Sequence, residues 1–307
     1  METKETWKPI NAIEQARLAR RKFLTQAGLL GLGTAAAGLT LGIARPAFAD
    51  ADSPPEAQEE REQSKDTVKE IFTATLIAED LATVFYYNAL VGPVIQDPNL
   101  AGPGGSATDV TAAGNLGNVN YVQAALSEEI AHADLFRTLL GISGPSADPV
   151  QTFYFPSDAF STLSDFTGLL NALEDAFIGA YLNAIQEFAS KAARVSRDGD
   201  GWYYRDSDNK KYTSEELDYY AKVSASIMGI EAEHRVLGRV ISNTNPANNL
   251  AYEQTDGLNA VYNGPNSAVA ALTPFLTASN GSPYSLATAL ANQSNVSLPV
   301  TGNPPAF

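Results

Sequence analysis

Cysteine is missing from all 307 residues of the chain, and histidine, methionine and tryptophan occur only twice each. Without thiols there is no disulfide, no thiolate-bound zinc, no iron–sulfur cluster and no rubredoxin-like electron carrier in this chain, so any metal must be held by oxygen and nitrogen. Positive charge is also scarce, with 20 Lys and Arg against 35 Asp and Glu and a net charge of −15. Such a surface repels phosphate backbones and anionic lipid, which excludes nucleic acid as a partner. Apolar residues, at 44% of the chain, are sufficient for a proper core in one large domain or two small ones.

The N-terminus carries a sorting pattern. Arg20, Arg21, Lys22, Phe23 and Leu24 form an R-R-x-F-L run, a moderately apolar Gly- and Ala-rich stretch follows over 28–44, and Ala47, Phe48 and Ala49 end it with small residues. This resembles a twin-arginine export signal, residues 1–49, cleaved after Ala49; an uncleaved anchor helix is the other reading. The resemblance implies the twin-arginine export machinery as a partner and the periplasm or another extracytoplasmic compartment as the destination. Residues 50–63 are polar, acidic and proline-containing, and read as a linker.

Helical spacing dominates from there. A first helix is expected over 64–91, with Phe72, Leu76, Tyr86 and Leu90 on its stripe, ending at Gly92-Pro93. A long Gly-, Pro- and Asn-rich connection over 92–118 reads as an ordered excursion or lid. The second helix is expected over 120–140, with Val122, Ala125, Phe136 and Leu139 inward and Gly141 as its stop. A third should run over 156–195, capped by Ser157 or Asp158, with Leu163, Leu170, Phe177 and Ile185 inward. The Trp202–Arg205 and Lys210–Thr213 segments, joined by a turn-rich Asp206-Ser207-Asp208-Asn209, read as a small β-hairpin. Its flank, Asp198-Gly199-Asp200-Gly201, fails the calcium-loop pattern because Trp202 falls on a ligand position. A fourth helix, capped by Thr213 or Ser214, should reach Ile241 with Tyr220, Ile227 and Ile241 inward. Residues 245–307 contain no Lys or Arg and should form a tail wrapping the bundle, with a short helix near 267–277.

Both histidines end a Glu-x-x-His motif, Glu129 with His132 and Glu231 with His234. Residues at i and i+3 share a helix face, so each pair can present a carboxylate and an imidazole to one metal from a rigid element. Glu79 precedes Tyr86 by seven residues, and Glu174 precedes Tyr181 by the same interval. Seven residues is nearly two turns, which puts each Glu and Tyr on the stripe meant for burial, where a carboxylate must be paired, protonated or metal-bound. Glu128, Asp175 and Glu233 turn about 100° away from their neighbours and should face solvent or an adjacent helix. Glu187 falls too far along the third helix for the same site.

Successive helices thus offer Glu, Glu-x-x-His, Glu and Glu-x-x-His, the order described for di-iron and di-manganese carboxylate bundles. On these residues the chain resembles the ferritin-like superfamily over about 64–243, and most closely its extracytoplasmic, desiccation-associated branch. The resemblance implies an all-α, ferritin-like four-helix bundle with a long loop insertion, a β-hairpin and an extended C-terminal tail. It also implies a site for two iron or manganese ions. Glu79 and Glu174 would be terminal ligands, Glu129 and Glu231 would bridge, His132 and His234 would each bind one ion, and Tyr86 and Tyr181 would orient carboxylates. The topology needs a crossover of about 40 Å after the second helix. Residues 141–157 reach roughly 55 Å when extended. The loop, hairpin and tail would obstruct a closed storage cage. Expected partners are metal ions, small oxidants and a second copy of the chain as a homodimer. The functions implied are a ferroxidase-like or manganese catalase-like oxidoreductase, or a non-catalytic metal-binding protein of stress and desiccation.

Overall fold

The computed structural model describes residues 66–244 and 271–298. The export signal, the linker, and the expected tail segments at 245–270 and 299–307 lie outside the described residues. Four long helices dominate: α1 (Val68–Val91), α2 (Leu116–Leu140), α3 (Leu163–Ala192) and α4 (Ser214–Ile241). Each start is fixed by a side chain that accepts an otherwise orphaned backbone N–H. Thr67 and Thr213 do this in full capping boxes with Glu70 and Glu216, Asn115 caps α2, and Thr162 caps α3. Asn115 starts α2 earlier than the apolar periodicity indicates. The third helix starts later than expected, because 156–162 form turns and Thr162, not Ser157 or Asp158, receives the first amide.

Contacts between helices give their directions. Tyr86 of α1 meets Glu174 of α3 while Tyr181 of α3 meets Glu79 of α1, so numbering rises on one helix as it falls on the other. The same inversion relates α2 and α4, where Glu129 meets His234 and His132 meets Glu231. Helices α1 and α2 also run antiparallel, as Phe72–Phe136 and Glu79–His132 show. The chain therefore goes up, down, down and up, with a long crossover between α2 and α3.

That crossover contains a strand absent from the sequence expectation. Strand β1 (Thr152–Phe155) pairs antiparallel with β5 (Ser282–Ser285) from the tail, in the register Thr152 with Ser285 and Phe155 with Ser282. The segment is short and its partner lies far along the chain, so local pattern carries little signal. Its inward residues, Phe153 and Phe155, are fully buried, and Phe155 packs against Phe85, Phe160, Phe275 and Tyr284. A final helix α5 (Leu286–Asn292) then buries Leu286 and Ala289 in the same core. In the described part of the expected tail helix at 267–277, residues 271–272 are helical and run into a 3-10 turn at Thr273–Leu276.

The hairpin is a three-stranded meander: β2 (Ser196–Asp198), β3 (Gly201–Arg205) and β4 (Lys211–Tyr212). Buried Lys191, at the end of α3, donates to the Asp66 carbonyl at 2.5 Å and sits 3.5 Å from Asp206 Oδ1. Asp206 Oδ2 in turn accepts from the Val68 amide at 2.7 Å, so the meander ties the beginning of α1 to the end of α3.

The core is divided into two apolar clusters, and all four helices pass from one to the other. The change falls between Leu76 and Ile77 on α1, Leu126 and Ala133 on α2, Phe177 and Tyr181 on α3, and Ile227 and Leu237 on α4. Polar residues occupy that boundary. Beside it, Arg137 of α2 binds Asp80 of α1 at 2.5 Å, Asp148 of the crossover at 2.8 Å and Asp134 at 2.8 Å. Arg137, Asp80 and Asp148 are buried, whereas the Asp134 side chain is 65% exposed. Replacing Arg137 with Met strands two buried carboxylates and should cost about 3–5 kcal/mol. Asp134→Ala should cost only about 0–1 kcal/mol. Denaturant midpoints of the two variants measure this difference.

Candidate metal centre

The boundary between the clusters is where the sequence-derived residues meet. Glu79, Glu129, His132 and Glu231 bring one oxygen or nitrogen each within 4.8 Å of one another, and Glu129, Glu174, Glu231 and His234 do the same. Glu129 and Glu231 belong to both groups. All six expected ligand residues are thus gathered, two carboxylates shared and one histidine at each side. His132 Nδ1 lies 3.2 Å from Glu79 Oε2 and 3.5 Å from Glu231 Oε1, and His234 Nδ1 lies 2.9 Å from Glu129 Oε1 and 3.4 Å from Glu231 Oε2.

The tyrosines close the α1–α3 side. Tyr86 donates its hydroxyl to Glu174 Oε1 at 2.6 Å, and Tyr181 donates to Glu79 Oε1. Each therefore serves the glutamate of the opposite helix, not the one seven residues before it. Burial pushes both phenols well above their ordinary range, with the neighbouring glutamates adding to the effect, so both remain donors.

A metal fits this donor set. Both oxygens of Glu129, both of Glu231, Glu174 Oε2 and His234 Nδ1 are buried without a hydrogen bond. Leaving such groups unpaired is costly, and five lone-pair-bearing oxygens converging with imidazole nitrogens call for an electropositive centre. Hard carboxylate oxygen with neutral imidazole suits iron or manganese.

Protons compensate in the metal-free state. Burial, then repulsion from Glu231, raises Glu79 and Glu174 well above the ordinary glutamate value. Burial acts against charge on both imidazoles, yet the surrounding glutamates outweigh it and raise His132 and His234 well above their ordinary value. Glu129 is held low, because the two adjoining imidazoles outweigh its burial.

Glu128 and Asp175 face the adjacent helix α4, one of the two orientations expected of them, whereas Asp80 was not singled out from the sequence. Glu128 reaches His234 Nε2 at 2.8 Å, Asp175 binds Arg235 at 2.8 Å, and Asp80 lies in the Arg137 cluster. Their partners sit on other elements, so only adjacency to Glu129, Glu174 and Glu79 could have singled them out. Glu233 is exposed and Glu187 is buried outside both ligand groups. Asp198, in the calcium-like segment, is instead paired with Arg205 and Lys211.

The pH dependence of the metal-free protein follows. Glu79 and Glu174 release protons at about 4.5 when unfolded but hold them higher in the fold, so the native state binds more protons above that pH and loses stability as pH rises. The histidines act in the same direction, their contribution being complete below 6.5 and lost as pH rises through the folded value. The melting temperature of metal-free protein should fall between about pH 5 and about pH 8. Adding Mn²⁺ should release protons and restore more stability at the higher pH. Thermal melts with and without Mn²⁺, with proton release followed by indicator dye, check both parts.

Comparison with known proteins fits this geometry. A family model described as a ferritin-like domain matches residues 67–196, which takes in α1, α2 and α3. No curated protein and no solved structure matches the chain. The matched segment contains Glu79, the first Glu-x-x-His pair and Glu174, while α4 adds the second pair in the place the bundle requires. By that match residues 67–196 form a ferritin-like domain, and the four-helix architecture that α4 completes is that of a ferritin-like bundle.

Proposed function

We propose that the chain is an exported ferritin-like protein that holds a dinuclear iron or manganese centre and acts as an oxidoreductase on ferrous ion, dioxygen or peroxide. The observation that carries this reading is the sharing of Glu129 and Glu231 between two ligand groups, each completed by its own glutamate and histidine. Two ions bound there would supply redox change and open coordination positions for a small oxidant.

The chain's own residues have defined tasks. Glu129 and Glu231 face both positions from antiparallel helices, while Tyr181 and Tyr86 fix Glu79 and Glu174 through their hydroxyls. The apolar clusters above and below keep bulk water from the carboxylates. The side of the site that opens is that of His132, the most exposed of the six candidate ligands, so a small oxidant would enter there.

Elemental analysis and anomalous scattering on natively exported protein, with ferrous oxidation and peroxide assays, test the proposal. About two ions per chain with turnover are expected; absence of both metals would end the reading. A protein that is stabilised by metal but turns nothing over would instead be the non-catalytic, stress-protective relative. His132→Ala and His234→Ala should each lower metal content toward one ion while far-UV helicity stays largely intact, because helix packing supplies most of the stability. Exposed Glu233→Ala should leave metal content unchanged. Export is checked separately: replacing Arg20 and Arg21 with Lys should strand the protein in the cytoplasm.

A further inference from the structure

The two Glu-x-x-His segments are related by the antiparallel pairing of α2 and α4, but they differ at both residues inside the motif and at the one before it, and the last of these differences bears on the histidines. In α2 the motif is preceded by Glu128; in α4 the corresponding residue is Ile230. The difference reaches the histidines. Glu128 Oε2 lies 2.8 Å from His234 Nε2, the ring nitrogen that points away from the ligand groups. Among the described residues, every carboxylate within ion-pair distance of His132 approaches Nδ1, and none approaches its outer nitrogen.

Burial differs in the same direction. The His234 side chain is 4% exposed and stands edge-on to the Tyr86 ring with centroids 5.6 Å apart, whereas His132 is 13% exposed. One imidazole is thus held at its outer nitrogen and against an aromatic wall, and the other is held on its inner side only.

Resting on the dinuclear reading above, we infer that Glu128 is a positioning residue that makes the two metal positions unequal. It accepts the Nε2–H of His234, fixes the tautomer that leaves the Nδ1 lone pair facing Glu129 and Glu231, and raises the donor strength of that nitrogen. The position completed by Glu174 and His234 is the tight one. The position completed by Glu79 and His132, without such support and with its histidine partly open to solvent, is the one that exchanges its ion.

Titration of the metal-free full-length protein with Mn²⁺, read by electron paramagnetic resonance of free and bound ion, tests this. Wild type should show two separated affinities. Glu128→Ala should weaken the tighter one by about 10–100-fold and leave the weaker unchanged. Glu128→Gln, whose amide oxygen can accept the same N–H, should recover much of the loss. Ile230→Glu should strengthen the weaker position and narrow the gap. Unchanged melting temperatures of the metal-free variants would separate positioning from folding. Equal affinities in wild type, or a Glu128→Ala protein that keeps the wild-type affinities or loses both together, overturns the inequality while leaving the dinuclear reading intact. A wild-type protein that binds no Mn²⁺ and contains no native metal overturns both.

Discussion

Everything in this structure is arranged around placing four carboxylates and two imidazoles out of water, at the boundary of two apolar clusters. Ionised carboxylates cannot be buried together without compensation, so the layer demands cations or protons. The raised Glu79, Glu174, His132 and His234 are the proton form of that demand, and the unbonded oxygens of Glu129 and Glu231 are its geometric form. Apolar layers on both sides make the demand strict, because water cannot solvate the charge.

Holding such a layer together requires that four helices keep their register. The side-chain caps at Thr67, Asn115, Thr162 and Thr213 set where each helix begins. Arg137 locks α1, α2 and the crossover beside the site, and Lys191 with Asp206 locks the far end of the bundle through the meander. The tail strand on β1 covers the crossover with Phe155 at its centre, and Gly281 is required there because a Cβ would lie 2.0 Å from the Phe155 carbonyl oxygen. These additions brace the bundle from outside.

The near two-fold relation between the halves is what lets Glu129 and Glu231 belong to both ligand groups. It also makes departures from symmetry visible. Glu128 opposite Ile230 changes how one histidine is held, and the greater exposure of His132 changes how one side meets solvent. A site built by repetition thereby holds its two histidines in different surroundings.

The sequence by itself determined the helix-forming segments, the six ligand-type residues and their common level, because i to i+3 and near-seven spacings are properties of a single helix. It also determined the ligand chemistry, since the absence of cysteine leaves only oxygen and nitrogen. Helix starts were less legible: Asn115 and Thr162 act through capping bonds that apolar periodicity does not register. The pairings were decided only in the tertiary structure. Tyr86 serves Glu174 and Tyr181 serves Glu79, Glu128 holds His234, and β1 finds β5, each across a different element. The physical reason is the same in each case: these contacts join residues from separate helices or strands, whose relative direction and rotation are fixed by packing and leave no periodic trace along the chain.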